Sequence, residues 1–495
     1  MVRLVTRPKT NGTELSQLAK LVSGTCSGEV KVFGITHDSR SVQPGDLYVA
    51  LQGANSHGIE FVDEAIANGA VAIASDSHGA AIANQKALPF IELANARKEM
   101  ATISARIYGN PELKLSLTGV TGTNGKTTTT HMLRSIFIDA GKRVGVIGTL
   151  GTYLEAEHLP GARTTPESTD LYATLALMVE RGITHVFMEV SSHALELHRV
   201  TGIKFDVAVF TNLTQDHLDF HGSMEKYFAA KARLFTSEFT NQAVICTDDD
   251  WGRKLEAESH IPVLTIGRNG NWKTSGVNSN PDGLTTQKIE IENSGVISLS
   301  VNMLGSYNAT NAACALAASQ FLGLSIPAGL ESLKNVRPIP GRLEKVSIAS
   351  PGTVFVDYAH TPDAVATVLT VIKNANPEKI ITVIGCGGDR DASKRPLMGK
   401  VAAQLSDIVI ITDDNPRSEN PTAIRSAMIV GTQDCSAEVL EIADRRTAIS
   451  KALSLAHPGD VIAILGKGHE TGQEIASEIF PFDDRVVVRQ ESENV

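Results

Sequence analysis

The stretch Leu117-Thr118-Gly119-Val120-Thr121-Gly122-Thr123-Asn124-Gly125-Lys126-Thr127-Thr128 decides the fold of the middle of this 495-residue chain. The apolar run over 115–120 predicts a strand, and the amphipathic stretch 126–140 predicts a helix. Glycines in the turn between them let backbone N–H groups converge on phosphate oxygens, toward which the helix directs its positive end. Lys126 supplies a charge, and Thr127 offers a hydroxyl to Mg²⁺. We therefore predict that Gly122–Thr128 holds the phosphates of ATP.

The loop departs from the common phosphate-loop pattern at one position. That pattern has a glycine five residues before the Gly125-Lys126 pair, where this chain has Val120. Gly119 is one residue too early, and Gly122 is two residues too late. The alternative is a chance glycine-rich turn before a helix. The flanking strand and helix favour a variant phosphate loop.

Short β-branched runs alternate with amphipathic stretches beyond the loop, which predicts a parallel sheet flanked by helices. The helix-hostile stretch Arg337–Arg342 interrupts this pattern, and a second strand–helix series follows it. The predicted strands are 144–148, 185–190, 207–210, 354–356, 380–384, 408–411 and 461–465.

The fold class predicted is therefore α/β with three domains. The first is a small mixed α/β N-terminal domain over residues 1–98. A central P-loop domain with a mostly parallel sheet covers residues 99–337, and a Rossmann-like α/β domain covers residues 338–495.

Composition narrows the class of protein. Apolar residues make up 42% of the chain, charged residues 20%, and the formal net charge is −10. A negative surface repels phosphate backbones, so we expect no nucleic-acid partner. The five cysteines lack metal-ligand spacing, which is typical of reduced thiols in a cytosolic protein. We see neither a secretory signal nor an 18-residue apolar run, so we expect a cytoplasmic protein without membrane contact.

Acidic and imidazole groups follow two predicted strands. Glu189 ends one apolar run, and Asp216, His217 and Asp219 follow another. Because parallel strands end at one edge of the sheet, we expect these groups to face the ligand crevice. A metal role is one interpretation, and a solvated strand end or a structural histidine is the other.

Lys231 lies on the apolar stripe of a predicted helix over 224–235, seven residues after Met224. A lysine on an inward face loses hydration, which lowers its pKa, and a neutral amine can react with CO2 to give a carbamate. The commoner alternative is a lysine whose ammonium reaches the surface. Periodicity alone favours that alternative.

Together these motifs resemble the Mur ligase family, whose members add amino acids to UDP-N-acetylmuramic acid. The resemblance spans nearly the whole chain. It is carried by segments 122–128, Glu189–His193, Asn212–Asp219, Lys231, Gly305–Asn311 and Asp357–Asp363.

Within the family, the sequence is most similar to ligases that extend UDP-MurNAc-L-Ala-D-Glu. The segments that carry this likeness are Arg163–Glu167, Gly385–Arg390 and Asp413–Arg417. The Asp-Asn-Pro-Arg form resembles the type that selects meso-diaminopimelate, because a guanidinium can grip the far carboxylate that lysine lacks. The alternative interpretation of Arg417 is a helix-entry residue before Pro421, without a role in binding.

The resemblance implies roles for particular residues. It implies that Lys126, Glu189, His217 and Lys231 are catalytic. One Mg²⁺ would be held by Thr127 and a second by Glu189, His217 and carbamylated Lys231. Asn308 and Arg342 join the loop in binding ATP. Implied contacts to UDP-MurNAc-dipeptide are Ser39, Ala54, Asn55, Ser56, Thr164, Thr165, Ser191 and Arg199. Implied contacts to diaminopimelate are Arg390, Asp414, Asn415, Pro416, Arg417, Gly466 and Glu470. At Leu197 some relatives have a polar residue, so no substrate contact is predicted there.

The resemblance thus implies a monomeric, ATP-dependent amide ligase that works through an acyl phosphate. Rival interpretations are a lysine-adding ligase, a folylpolyglutamate synthetase and a nucleotide-gated binding protein. Arg417 argues against the first. The N-terminal region argues against a folylpolyglutamate synthetase, because folate relatives lack a UDP-binding N-terminal domain. The candidate metal ligands around the loop argue against a protein that binds ATP without ligating anything.

Overall fold

A computed structural model describes residues 7–53, 56–161, 163–279, 284–292, 294–348 and 352–493. Its architecture is α/β throughout, with a separate main sheet for each of the three parts of the chain. Among the described residues, we find no helix with the length and apolar character needed to cross a bilayer.

The N-terminal part is built on a mixed sheet in which the inner strands are parallel. Its helices pack Leu15, Leu18 and Met100 into a shared core. Across the sheet the strands are Thr25–Ser27, Phe90–Glu92, Ala70–Ser75, Asp46–Ala50 and Gly34–Thr36, with a small pair Thr13–Glu14 and Lys31–Val32. The helices are Leu15–Leu21, Ser39–Ser41 (3-10), Gly58–Phe61 (3-10), Val62–Ala67, Ser77–Gln85 and Ala96–Ile107.

The central sheet has a parallel middle and antiparallel margins. The phosphate-loop strand lies between two parallel neighbours, so Val120 pairs with Glu189 and Thr121 pairs with Phe210. From edge to edge the strands are Glu157–Leu159, Gly151–Leu154, Val144–Gly148, His185–Glu189, Ser116–Thr121, Val207–Phe210, Ala243–Cys246, Val263–Gly267, Trp272–Ser279, Thr285–Ile291 and Gly295–Val301.

Helices cover both faces of the parallel middle of this sheet, whose strands are buried almost throughout. Helix Ser306–Phe321 packs on the phosphate-loop helix and is rich in small residues that allow close approach. The helices are Pro111–Lys114 (3-10), Lys126–Asp139, Ser168–Glu180, Ser192–Glu196, Leu218–His221, Met224–Ala232, Arg233–Phe235 (3-10), Asp250–Glu258, Ser306–Phe321 and Ile326–Lys334.

The C-terminal part is a parallel sheet with one antiparallel edge strand. Across the sheet the strands are Glu344–Val346, Thr353–Asp357, Val461–Leu465, Ile380–Ile384, Ile408–Ile411 and Glu438–Glu441, and a hairpin Gly472–Ile475 with Glu478–Pro481 stands beside it. The helices are Pro362–Asn374, Lys394–Leu405, Pro421–Val430, Arg445–Leu455 and Asp484–Ser492.

The two predicted domain boundaries fall differently on these elements. Helix Ala96–Ile107 runs across residue 98, so that boundary lies inside a helix that packs on both the N-terminal and central parts. Residues 337–343 lie between helix Ile326–Lys334 and strand Glu344–Val346, outside regular helix or strand. The second boundary therefore coincides with a connection.

Candidate active site

The phosphate loop needs glycine at two of its positions. Gly122 has φ +147°, and a Cβ there would lie 1.9 Å from Thr211 Oγ1. Gly125 has φ +85° at the start of helix Lys126–Asp139, and its Cβ would lie 2.4 Å from Asn311 Oδ1. Only glycine accepts both the backbone angles and the close neighbours. Val120, where the common pattern has glycine, is instead a buried strand residue.

The segment after the neighbouring strand fixes the loop's shape. Asn212 accepts hydrogen bonds from Asn124 N through its side chain (2.9 Å) and from Thr123 N through its carbonyl (2.9 Å). Thr211 Oγ1 donates to Asn124 O at 2.6 Å. These contacts fix the backbone of the loop at Thr123 and Asn124.

Lys126 lies within the loop that it is predicted to serve. Its Nζ donates to the carbonyls of Gly122 (3.0 Å) and Thr123 (2.8 Å). Burial lowers the pKa of Lys126, while the carboxylates of Glu189 and Asp216 oppose that shift. The amine is therefore near both acids and the turn where phosphates would lie.

Glu189 ends the strand beside the loop, as the sequence predicted. It is 1% exposed, and its two carboxylate oxygens accept hydrogen bonds from Thr149 N (2.8 Å) and Thr149 Oγ1 (3.0 Å). Thr149 also contacts Thr164 through their hydroxyls, at 3.1 Å. Glu189 thus has a fixed orientation at the carboxyl edge of the sheet.

His217 lies at the same edge with a left-handed backbone, φ +55°. Its Nε2 lies 3.5 Å from Asp216 Oδ2, and its ring stands edge-on to that of His193. Burial lowers the pKa of His217 to about 4, against the opposing effect of Asp216. A neutral imidazole of this kind can act as a ligand.

Lys231 is buried, so the alternative in which it reaches the surface is wrong. It is 1% exposed, and its Nζ donates to Gly122 O at 2.9 Å. The amine also lies 4.7 Å from the centre of the Tyr227 ring. Burial, reinforced by the nearby charge of Lys126, lowers the pKa of Lys231 well below its ordinary value.

A cavity of ≈ 360 Å³ extends from the loop toward the C-terminal domain. Arg342 crosses between the two: its Nη2 donates to Thr127 Oγ1 at 3.1 Å, and its guanidinium lies 4.9 Å from the Tyr358 ring centre. Asn308 is buried, lines this cavity and donates to Leu304 O at 2.8 Å. The two residues predicted to bind nucleotide outside the loop are therefore brought to it.

A second cavity of ≈ 580 Å³ opens on the other side of a shared wall. That wall consists of Tyr358, His360 and Asp363, which line both cavities. The second cavity is also lined by Asp216 and His217, and by the predicted amino-acid contacts Arg390, Asp414, Asn415, Arg417, Gly466 and Glu470.

Arg417 is held in place from two sides. Its Nε donates to Glu474 Oε2 (3.1 Å), and its Nη1 donates to Gly388 O (2.6 Å). Its backbone is left-handed, φ +53°. Arg390, by contrast, is exposed at the rim and donates to Asp389 O at 3.1 Å.

Close packing joins the remaining predicted amino-acid contacts. A Cβ at Gly466 would lie 2.5 Å from Asp414 Oδ2. The carbonyl of Pro416 packs against Gly388, where a Cβ would lie only 2.0 Å away. These contacts bring the loops 385–390, 413–417 and 466–470 to one place.

The predicted UDP-dipeptide contacts are more dispersed. Ser39 is buried and its hydroxyl donates to Glu64, while Ser56 is half-buried and Ala54 and Asn55 lie outside the described residues. The structure therefore leaves the binding role of this segment a prediction.

Near the catalytic edge, Thr165 Oγ1 donates to the Glu189 carbonyl (2.9 Å) and to Ser191 Oγ (3.3 Å). Arg199 is buried and pairs with Glu167, its Nε donating to Oε1 at 2.9 Å. Arg97 and Arg163 also pair with that carboxylate, so three guanidinium groups surround Glu167.

Sequence reasoning missed several site residues. Tyr358 and His360 belong to a segment that carried the resemblance, but no role followed from it. Thr149, which orients Glu189, has no sequence signal beyond its place after a strand. Lys467 is completely buried between two glycines, and no periodic pattern marks it.

Fold and site together define a nucleotide-dependent ligase of the Mur type, and the comparisons agree. The sequence matches the Mur ligase family catalytic domain over residues 31–107, the Mur ligase middle domain over 120–319 and the Mur ligase, glutamate ligase domain over 341–468. The chain belongs to the Mur ligase family.

Particular relatives are more specific. The chain is 42% identical to the UDP-N-acetylmuramoyl-L-alanyl-D-glutamate–2,6-diaminopimelate ligase of Streptomyces avermitilis, covering 97% of this chain and 96% of the relative. The Corynebacterium glutamicum enzyme of that name is 41% identical over 93% of this chain and 92% of its own length. A solved structure of a ligase with the same name superposes with TM-score 0.66 at 32% identity, covering 94% of this chain and 95% of that one.

Proposed function

We propose that this chain is an ATP-dependent ligase that joins meso-diaminopimelate to the D-Glu γ-carboxylate of UDP-MurNAc-L-Ala-D-Glu. Relatives at 40–42% identity over nearly the full length carry the corresponding name. The activity belongs to the assembly of peptidoglycan precursors. A cytoplasmic location and a monomeric state stay predictions.

The observation that carries this proposal is the pair of cavities with a common wall. One cavity begins at the phosphate loop, and the other is lined by Arg417, Asn415 and Glu470. His217 and Asp216 lie at the second cavity, on the edge of the sheet that also carries Glu189. A phosphoryl group, an acceptor carboxylate and an amine can therefore meet at one edge.

The first chemical step activates the acceptor. An oxygen of the D-Glu γ-carboxylate attacks the γ-phosphorus of ATP, the bond between that phosphorus and the β,γ-bridging oxygen breaks, and ADP leaves. Lys126 and Arg342 offset the negative charge, and loop N–H groups orient the phosphates. The chain's main contribution is positioning and charge neutralisation.

The second step forms the amide. The free amine at the L-centre of diaminopimelate attacks the acyl-phosphate carbon, and the tetrahedral intermediate collapses with loss of phosphate and a proton. Water would hydrolyse the acyl phosphate, so the site has to close. We expect the C-terminal domain to move on the central one about residues 338–341.

Magnesium fits this site only with an added ligand. Among the residues that the structure describes, no cluster of three His, Cys, Asp or Glu side chains is arranged to hold a metal ion. The hydroxyl of Thr127 would hold one Mg²⁺ with the phosphates, and Glu189, His217 and a carboxylate on Lys231 would hold a second. Bound Mg²⁺ would offset charge between the phosphate and the acceptor carboxylate.

The buried amine of Lys231 suits that modification. Its lowered pKa favours the neutral form, whose lone pair attacks CO2. A bond forms between Nζ and carbon, one proton is released, and a carbamate replaces the cation. The resulting oxygens would lie beside Gly122, where the Lys231 amine already contacts the loop.

Arg417 favours diaminopimelate over lysine as the added amino acid. A carboxylate, that of Glu474, contacts its guanidinium. The far carboxylate of diaminopimelate has the same chemistry, whereas lysine has no group to offer there. A lysine-adding ligase is the second candidate, and it has no comparable observation in its favour.

An assay of phosphate release by the purified chain tests the proposal. Release should require UDP-MurNAc-L-Ala-D-Glu and diaminopimelate together. ATP hydrolysis that is unaffected by either compound would refute it.

A further inference from the structure

Lys467 is completely buried in the loop after strand Val461–Leu465. Its Nζ donates to Asn415 Oδ1 (2.9 Å), Glu470 Oε2 (3.1 Å) and Gly472 O (2.7 Å). A lysine ammonium has three N–H donors and no acceptor. These contacts therefore engage every donor, and the residue has none left for a substrate.

Two of the three acceptors belong to residues that line the ≈ 580 Å³ cavity, whereas Lys467 is not part of the described lining. Because an ammonium only donates, Asn415 turns its amide oxygen, Oδ1, toward Lys467. The amide nitrogen of Asn415, Nδ2, then donates to Glu470 Oε2 at 2.8 Å. Both bonds to Glu470 fall on Oε2. Among the described residues, no hydrogen bond falls on its second oxygen, Oε1, and Glu470 lines the cavity.

The third acceptor connects Lys467 to the neighbouring hairpin. Gly472 begins the strand that carries Glu474, whose N donates to Asn415 Oδ1 at 3.0 Å and whose carboxylate contacts Arg417. One ammonium thus connects the loop 413–417, the carboxylate of Glu470 and the partner of the guanidinium.

The backbone around Lys467 leaves little room for adjustment. Gly466 and Gly468 both have positive φ, +113° and +53°. A Cβ at Gly466 would lie 2.5 Å from Asp414 Oδ2, and one at Gly468 would lie 2.7 Å from Tyr358 Cβ. The loop is therefore packed against the amino-acid cavity and against a residue of the shared wall.

We infer that Lys467 is a positioning residue for the amino-acid substrate. Its ammonium sets the Asn415 amide and the Glu470 carboxylate so that Glu470 Oε1 receives an ammonium group of the incoming amino acid. The inference rests on the proposed function. A purely structural lysine would support all substrates equally, whereas a positioning lysine acts on one.

The test compares Lys467→Met with the exposed control Lys451→Met in the same domain. We expect the KM for diaminopimelate to rise at least tenfold in Lys467→Met, with the KM values for ATP and UDP-dipeptide within twofold of the parent chain. Hydroxylamine, which traps an acyl phosphate as a hydroxamate, should give undiminished product without amino acid. Equal changes in all three KM values, or an unchanged KM for diaminopimelate, would overturn the inference.

Two further variants cover the case in which Lys467→Met does not fold. Lys467→Arg keeps the buried charge but spreads its donors over a planar fork, so we expect its KM for diaminopimelate to rise at least threefold. In a double-mutant cycle, Lys467→Arg is combined with Glu470→Gln. The double variant should raise the KM for diaminopimelate by less than the product of the two single effects. Independent, multiplicative effects contradict the inference. Failure of the parent chain to form hydroxamate would count against the proposed function itself.

Discussion

The Nζ of Lys231 donates a 2.9 Å hydrogen bond to the carbonyl oxygen of Gly122, so an amine from helix Met224–Ala232 reaches the phosphate loop. Two lysines, this one and Lys126, share that carbonyl as an acceptor. Two ammonium groups at one carbonyl repel each other. This repulsion adds to burial in lowering the pKa of Lys231 and so favours its neutral form. Conversion of Lys231 to a carbamate would turn this repulsion into attraction.

Replacing Lys231 with alanine tests that conversion. We expect kcat of Lys231→Ala to fall by about 10²–10³-fold, because charge stabilisation near the transferring phosphoryl group is lost. Short carboxylates such as acetate should restore part of the activity by filling the space. Lys226→Ala, an exposed change on the same helix, serves as the control. Steady-state phosphate release measures the effect, and full activity of Lys231→Ala would exclude the carbamate.

Arg417→Ala should impair the use of diaminopimelate selectively. Loss of a charge-assisted contact of about 1.5–3 kcal/mol corresponds to a KM for the amino acid that is roughly 10–150-fold higher. The KM for ATP should stay within twofold of the parent value, since Arg417 is not among the described residues that line the nucleotide cavity. Arg489→Ala, at an exposed position, is the matched control. An unchanged KM for diaminopimelate in Arg417→Ala would show that this guanidinium does not bind the substrate.

A buried ion pair joins two helices of the C-terminal domain. The side chains of Arg445 and Asp484 are both 0% exposed and are joined by two hydrogen bonds of 2.7–2.8 Å. Asp484→Ala leaves a buried guanidinium without its partner, so we expect a loss of about 3–5 kcal/mol in the free energy of unfolding.

The neighbouring pair Arg446–Glu491 joins the same two helices, with the Arg446 side chain 46% exposed, and provides the control. Glu491→Gln should cost less than about 1 kcal/mol, because water screens that pair. Urea unfolding of the two variants measures both quantities. Equal losses would show that burial does not distinguish the two pairs.

Sequence alone located the strands well where an apolar run is bounded by turn residues. Predicted strands 144–148, 207–210, 380–384, 408–411 and 461–465 have the ends that the structure shows. The predicted helix 224–235 instead ends at Ala232 and continues as a 3-10 turn to Phe235. Helix ends depend on the packing of the last turn, which periodicity does not describe.

Strand order predicts part of the site's layout. Glu189 ends one strand and His217 follows a parallel strand of the same sheet, so both lie at its carboxyl edge, while their binding roles stay predictions. Arg417 and Glu474 are 57 positions apart, and their contact depends on how a hairpin folds back on a loop. Lys467 is equally hidden from sequence, since its burial results from two glycine turns and not from a helix or strand face.

The specificity of ligation tests the central claim most directly. Phosphate release should be measured with ATP and UDP-MurNAc-L-Ala-D-Glu, with meso-diaminopimelate, L-lysine or no amino acid added. We predict rapid release with diaminopimelate, and release with lysine that is at least tenfold slower at equal concentration, because lysine has no carboxylate for Arg417. Faster release with lysine, or equal release without any amino acid, would contradict the account.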